Sequence, residues 1–148
     1  MSDSRDNMIA ALRRVLLPDL RRRGFRGSMP HFRRLQPTRI DLLTVQFSRW
    51  GGEFVVEIAK APPSGVTMYW GEFVPPAKLD AHHIGADLRL RLGTSPTRAD
   101  HWFKFDSAQS PADFDVVAAQ VVSYLDSQAE PYWLNGRRER EEKGPGTC

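Results

Sequence analysis

Residues 45–58 read VQFSRWGGEFVVEI, two runs of strand-forming residues on either side of Gly51-Gly52. Glycine adopts positive φ at little steric cost, and a glycine pair between alternating apolar runs is a β-hairpin signal. Taken as a two-residue type I′ turn, the pair sets a register in which Phe47 faces Val56, Val45 faces Ile58 and Arg49 faces Phe54. The apolar residues of both runs then share one face, as a half-buried hairpin requires. Thr44, Gln46, Ser48 and Trp50 fall on the other face with Glu53, Val55, Glu57 and Ala59. Arg49–Gly52 therefore reads first as a bend, with Trp50 at its rim.

The same alternation extends in both directions. HFRRLQ at 31–36, a Pro37-Thr38 turn and RIDLLTVQFSR at 39–49 make the hairpin part of a three-stranded meander. Ile40 and Leu42 carry the apolar phase on even positions before Leu43, Val45 and Phe47 carry it on odd ones, and a bulge near Asp41–Leu43 would reconcile the two. Downstream, Asp87–Leu92 alternates leucines with Arg89 and Arg91 and reads as a fourth strand; His101–Phe105 is a candidate fifth. Between them, residues 61–86 are broken by prolines around VTMYWGEF, a short strand or an ordered loop holding Tyr69, Trp70 and Phe73.

Helical periodicity brackets this sheet. Ile9, Leu12, Leu16 and Leu20 recur at spacings of three and four before Gly24, and Pro18 predicts a kink or break near Leu17, because it cannot donate to the Arg14 carbonyl. Ser110-Pro111-Ala112-Asp113 is an N-cap followed by proline at the first helical position, opening a helix whose stripe is Phe114, Val117, Ala118, Val121 and Leu125. The expected fold is α+β: an antiparallel β-meander of four to five strands with N- and C-terminal amphipathic helices packed on one face. A single domain is expected over 1–130, with 131–148 a disordered, charge-mixed tail.

Composition fits that reading. At 148 residues, 41% hydrophobic and 26% charged, the chain is the size and make-up of one ordinary domain. No run approaches the roughly 18 apolar residues of a membrane span, and MSDSRDNMIAALRR lacks the order of a secretory signal, so no membrane association and a cytoplasmic location are expected. The one cysteine, Cys148, excludes an intrachain disulfide. The formal charge of +3 is unevenly spread: residues 1–60 hold twelve basic against six acidic side chains, and 61–148 hold nine against twelve.

The order of these pieces resembles an uncharacterised bacterial family, a domain of unknown function. The residues that carry the resemblance are the basic helix ending in Gly24-Phe25, the strand with Phe32, the SRWGG hairpin within 45–58, His83-Ile84 ahead of DLRLRL, and His101-Trp102-Phe103 before the last helix. It covers about residues 5–130 and implies a compact α+β domain without implying an activity.

The chemistry-bearing residues exclude more than they establish. His82 and His83 are adjacent and would point apart in an extended chain, with no Cys, Asp or Glu at ligand spacing, so neither a metal nor another cofactor is expected. No nucleophile elbow or phosphate loop is present, and Glu53 and Glu57 sit about 13 Å apart along a strand. Three function classes remain. The first is a noncatalytic binding module that holds an unknown protein or small acidic ligand on the arginine-bearing sheet face, through Gln46, Ser48, Arg89 and Arg91 with Trp50 at the rim. Pairing of Arg89 or Arg91 with Glu57 is the bland alternative for that face. The second is a nucleic-acid-associated accessory protein using Arg13, Arg14, Arg21, Arg22 and Arg23 of the first helix. The third is an enzyme without a local motif.

Overall fold

The computed structural model describes residues 2–136. Its centre is the hairpin of β3 (Ile40–Phe47) and β4 (Glu53–Ala61). The strands pair Phe47 with Phe54, Val45 with Val56 and Leu43 with Ile58, two residues away from the register of a two-residue turn. The Ser48 N–H donates to the Glu53 carbonyl at 2.9 Å, so Arg49–Gly52 form a four-residue loop. Inside it the Gly51 N–H reaches the Ser48 carbonyl at 3.1 Å, and both glycines take positive φ, +87° and +78°. Because side chains alternate with period two, a slip of two residues leaves every side chain on its expected face.

The meander grows from that hairpin. β1 (Arg26–Ser28) and β2 (His31–Leu35) extend it beyond β3, and the outer edge of β4 is shared by β7 (Leu90–Arg91) and β8 (Phe103–Lys104). All pairings are antiparallel. The fourth expected strand is shorter than its alternation predicted, since Ala86–Leu88 is a 3₁₀ turn and the strand starts at Leu90. VTMYWGEF is neither one strand nor a plain loop: β5 (Val66–Thr67) and β6 (Phe73–Val74) pair as a separate small hairpin with Tyr69 and Trp70 at its tip.

Both helical segments cover one face. The first begins as α1 (Ser2–Ala11), widens into a π-helical turn at Leu12–Leu16, and resumes as α2 (Leu17–Arg22). The Leu17 N–H bonds to the Leu12 carbonyl, so the wide turn absorbs Pro18 without breaking the axis into separate helices. α3 (Pro111–Tyr124) starts at Ser110, whose hydroxyl accepts the Asp113 N–H while the Asp113 carboxylate accepts the Ser110 N–H. Met8, Leu12, Leu16 and Leu20 then meet Leu43, Val45, Val56 and Ile58 of the sheet, Phe114 and Val121 of α3, and Leu125 in the turn that follows it. Ile9 is only half-buried; the stripe runs through Met8 instead.

The other sheet face carries a second, smaller core. Ile40, Leu42, Ala59 and Ala61 are covered by Val74, Leu79 and Ala81. The register from Ile40 to Phe47 is unbroken, so the change of apolar phase does not arise from a bulge. It arises because this part of β3 is buried on both faces. The packed domain also runs past residue 130: Trp133 is 0% exposed, tilts against Phe25 and donates from Nε1 to the Ala59 carbonyl. The charged stretch from 137 onward lies outside the described residues.

Candidate functional site

Beyond its small apolar core, the second face turns polar. His31, Thr44, Glu57 and Arg91 lie in one row across β2, β3, β4 and β7, each paired with the next. Arg91 donates from Nε to Glu57 Oε2 at 2.9 Å and from Nη1 to Asp100 Oδ1 at 2.7 Å, and its guanidinium also stacks over Trp102. Arg89 Nη1 stands 3.3 Å from Glu57 Oε1 as an ion pair without hydrogen-bond alignment, so that oxygen and Arg89 Nε are buried without a hydrogen-bond partner. Glu57 is 6% exposed and therefore meets both arginines in a low-dielectric setting. The Arg91 pKa is raised, because the bonds to Glu57 and Asp100 outweigh the burial that would lower it.

Next to Glu57 lies a histidine pair. His82 Nε2 stands 3.5 Å from Glu57 Oε1, and its ring meets that of His31 edge to face. The Thr44 hydroxyl accepts the Ala81 N–H at 3.3 Å and lies 3.0 Å from His31 Nδ1. The direction of that bond follows the His31 tautomer, and the other ring nitrogen, Nε2, faces Asp80 Oδ2 at 3.8 Å. Burial lowers the His31 pKa; Asp80 opposes the shift, while His82, Arg33 and His83 reinforce it.

A cleft of about 410 Å³ opens between this histidine pair and α1. Gln46 and Thr44 line it from the sheet, His31 and His82 from one side, and Arg5 and Arg13 of the helical segment from the other. Among the described residues no Asp or Glu belongs to its lining; Asp80 stands behind His31. Arg5 lies over the Phe47 ring at 5.0 Å, and Arg13 has no ion-pair partner among the described residues. The cleft is thus a concave surface with two guanidinium groups and an amide, suited to bidentate contacts with a carboxylate.

The sequence candidates separate into distinct places. Arg89 and Arg91 come together on Glu57, on the same sheet face as Gln46. Ser48 Oγ accepts the Trp50 N–H and stabilises the turn. Trp50 is 86% exposed at the loop tip beneath the Arg49 guanidinium, several strand positions away from Glu57. Of the helix arginines, Arg14 pairs with Asp115, and Arg22 and Arg23 with Asp19. Arg23 also reaches Asp126 and Glu130, while Arg21 donates to the carbonyls of Phe25 and Gly27. Arg13 remains facing the cleft.

Over residues 16–135 the sequence matches the family described as Domain of unknown function (DUF4304). The chain belongs to that family. No curated protein and no solved structure matches it. The cleft of this DUF4304 domain combines Gln46 and Arg13 with His31, His82 and Arg5, which periodicity alone did not single out. The one sequence signal for His31 was its place beside Phe32 at the start of a strand, alternating onto the polar face. Among the described residues no group of three His, Cys, Asp or Glu is placed to hold a metal ion, and no helix is long and apolar enough to cross a membrane.

Proposed function

We propose that this DUF4304 chain is a noncatalytic binding module that holds a carboxylate-bearing ligand in the cleft between α1 and the polar sheet face. The observation that carries the reading is the lining: Arg5, Arg13 and Gln46 converge with no carboxylate among them, whereas Arg89 and Arg91 are already closed on Glu57. A guanidinium without an internal partner can exchange water for a ligand carboxylate without first breaking a native ion pair. Arg89 and Arg91 act behind the site, holding Glu57 beside His82. A bacterial, cytoplasmic setting is part of the proposal; the sequence resemblance and the single cysteine support it.

Glutarate titrated into isotope-labelled protein tests the reading. Saturable shifts confined to the cleft residues Arg5, Arg13, His31, Gln46 and His82, and abolished in Arg13→Glu, are expected. Shifts that stay linear, or that survive the charge reversal, would sink it.

A further inference from the structure

The cleft has a backbone wall as well as charged sides. β2 pairs with β3 only as far as His31 and Thr44, while β3 continues to Phe47. The next outward group, the Val45 N–H, donates to the Pro30 carbonyl at 2.9 Å. Proline has no N–H, so the return bond to the Val45 carbonyl cannot form. Alternation along an antiparallel strand points the N–H and C=O of Phe47 the same way. The Val45 carbonyl therefore faces the proline, whereas the outward N–H and C=O of Phe47 have no backbone partner among the described residues and border the lining of Arg5, Arg13, His31 and Gln46.

We infer that the occupant of this cleft is an extended acidic peptide segment that adds itself as a strand to the free edge of β3, an inference that rests on the carboxylate-binding reading above. Strand addition uses the unpaired N–H and C=O groups for affinity and side-chain contacts on both faces for selectivity. A small acid would satisfy the arginines and leave the Phe47 N–H and C=O unused, and a nucleic acid has no N–H and C=O ladder to offer them. Charge also decides against a second copy of this edge. Two such edges would bring Arg5 and Arg13 of each chain together, whereas an acidic strand neutralises both.

The test is selection of a displayed random heptapeptide library on the immobilised full chain, followed by amide exchange. Selected sequences should be enriched in Asp and Glu over the unselected library. Their affinity should fall at least tenfold when one backbone amide of the peptide is N-methylated, and at least tenfold in Arg13→Glu. Phe47 N–H exchange should slow on peptide addition. N-methylation leaves the protein untouched, so a folding defect cannot imitate the result. Absence of acidic enrichment, or affinity indifferent to N-methylation, overturns the inference. If glutarate still binds in either case, the cleft reading stands and only strand addition fails; if glutarate also fails, both fall. Phe47 protection that rises with protein concentration in the absence of peptide would overturn it in favour of self-association.

Discussion

At the scale of single residues, the polar face is organised around one buried carboxylate. Glu57 balances Arg89 and Arg91, and its loss would leave two neighbouring guanidinium groups facing each other in a poorly hydrated site. Removing one partner from a buried ion pair is far more damaging than never having built it. Glu57→Gln is expected to destabilise the fold by about 3 kcal/mol, read from urea unfolding. Retained stability would mean that the arginines turn out to solvent on their own. His31 gives a pH signature with two opposite signs. Its folded pKa is lowered, chiefly by burial, so the neutral form is favoured in the fold. Its contribution to stability is full above the ordinary histidine value and is lost as pH falls through the lower folded value. Affinity for a carboxylate should rise over the same interval, because the imidazolium adds a charge to the cleft. Unfolding and glutarate titrations at stepped pH should move in opposite directions, and His31→Gln should flatten both.

At the scale of elements, what the sequence disclosed depended on which geometry an error preserves. The central hairpin, its faces and the capped α3 were readable because side-chain alternation and capping are local. Loop length was not, since a two- and a four-residue loop place the same residues on the same faces. The second core went unseen because the elements that cover Ile40 and Leu42 come from the proline-broken stretch 74–81, which has no periodicity to read. Alternation in Asp87–Leu92 overstated its strand because the Ala86–Leu88 turn carries leucine too. The candidate site was legible in parts: Gln46 and Arg13 stood in separate hypotheses, and only the early end of β2 brings them to one cleft. The loop makes its own prediction. A Cβ at Gly51 meets nothing within 4 Å, so Gly51→Ala should cost only the left-handed conformation, about 1 kcal/mol. At Gly52 a Cβ would also stand 3.1 Å from the Asp106 Cβ, beside the bond from the Phe105 N–H to the Gly52 carbonyl. Gly52→Ala should therefore be clearly the worse of the two in thermal unfolding. Equal losses would show that Asp106 moves aside freely.

At the scale of the whole molecule, the first and last helical segments of the described chain are fastened together through the sheet. Arg34 of β2 bonds to buried Asp41 and to Glu130, and its guanidinium lies over the rings of Phe25 and Trp133. Arg23, just past α2, reaches the same Glu130. Burial alone would raise the Glu130 pKa, but the bonds and charges of Arg34 and Arg23 outweigh it and hold the carboxylate below its usual range. The stability it contributes is therefore present above the ordinary carboxylate value and lost as pH falls through the lower folded one. This clamp is closed from outside by Trp133, three residues beyond the domain boundary that the sequence implied. A chain ended after Gly136 keeps the clamp and its lid; one ended after Glu130 exposes Phe25 and strips one ring from Arg34. Trp133→Ala isolates the lid without altering chain length, and its loss from a fully buried site should cost on the order of 4 kcal/mol. The chain ended at Glu130 should lose at least as much at neutral pH and show a smaller further loss on acidification, because water would screen the Glu130 ion pairs and return its pKa towards the ordinary value. Circular dichroism melts of the three proteins at neutral pH and at pH 4 check this. If the shortened chain melted with the full one, the terminal turn would be an ornament and the clamp would hold on ion pairs alone.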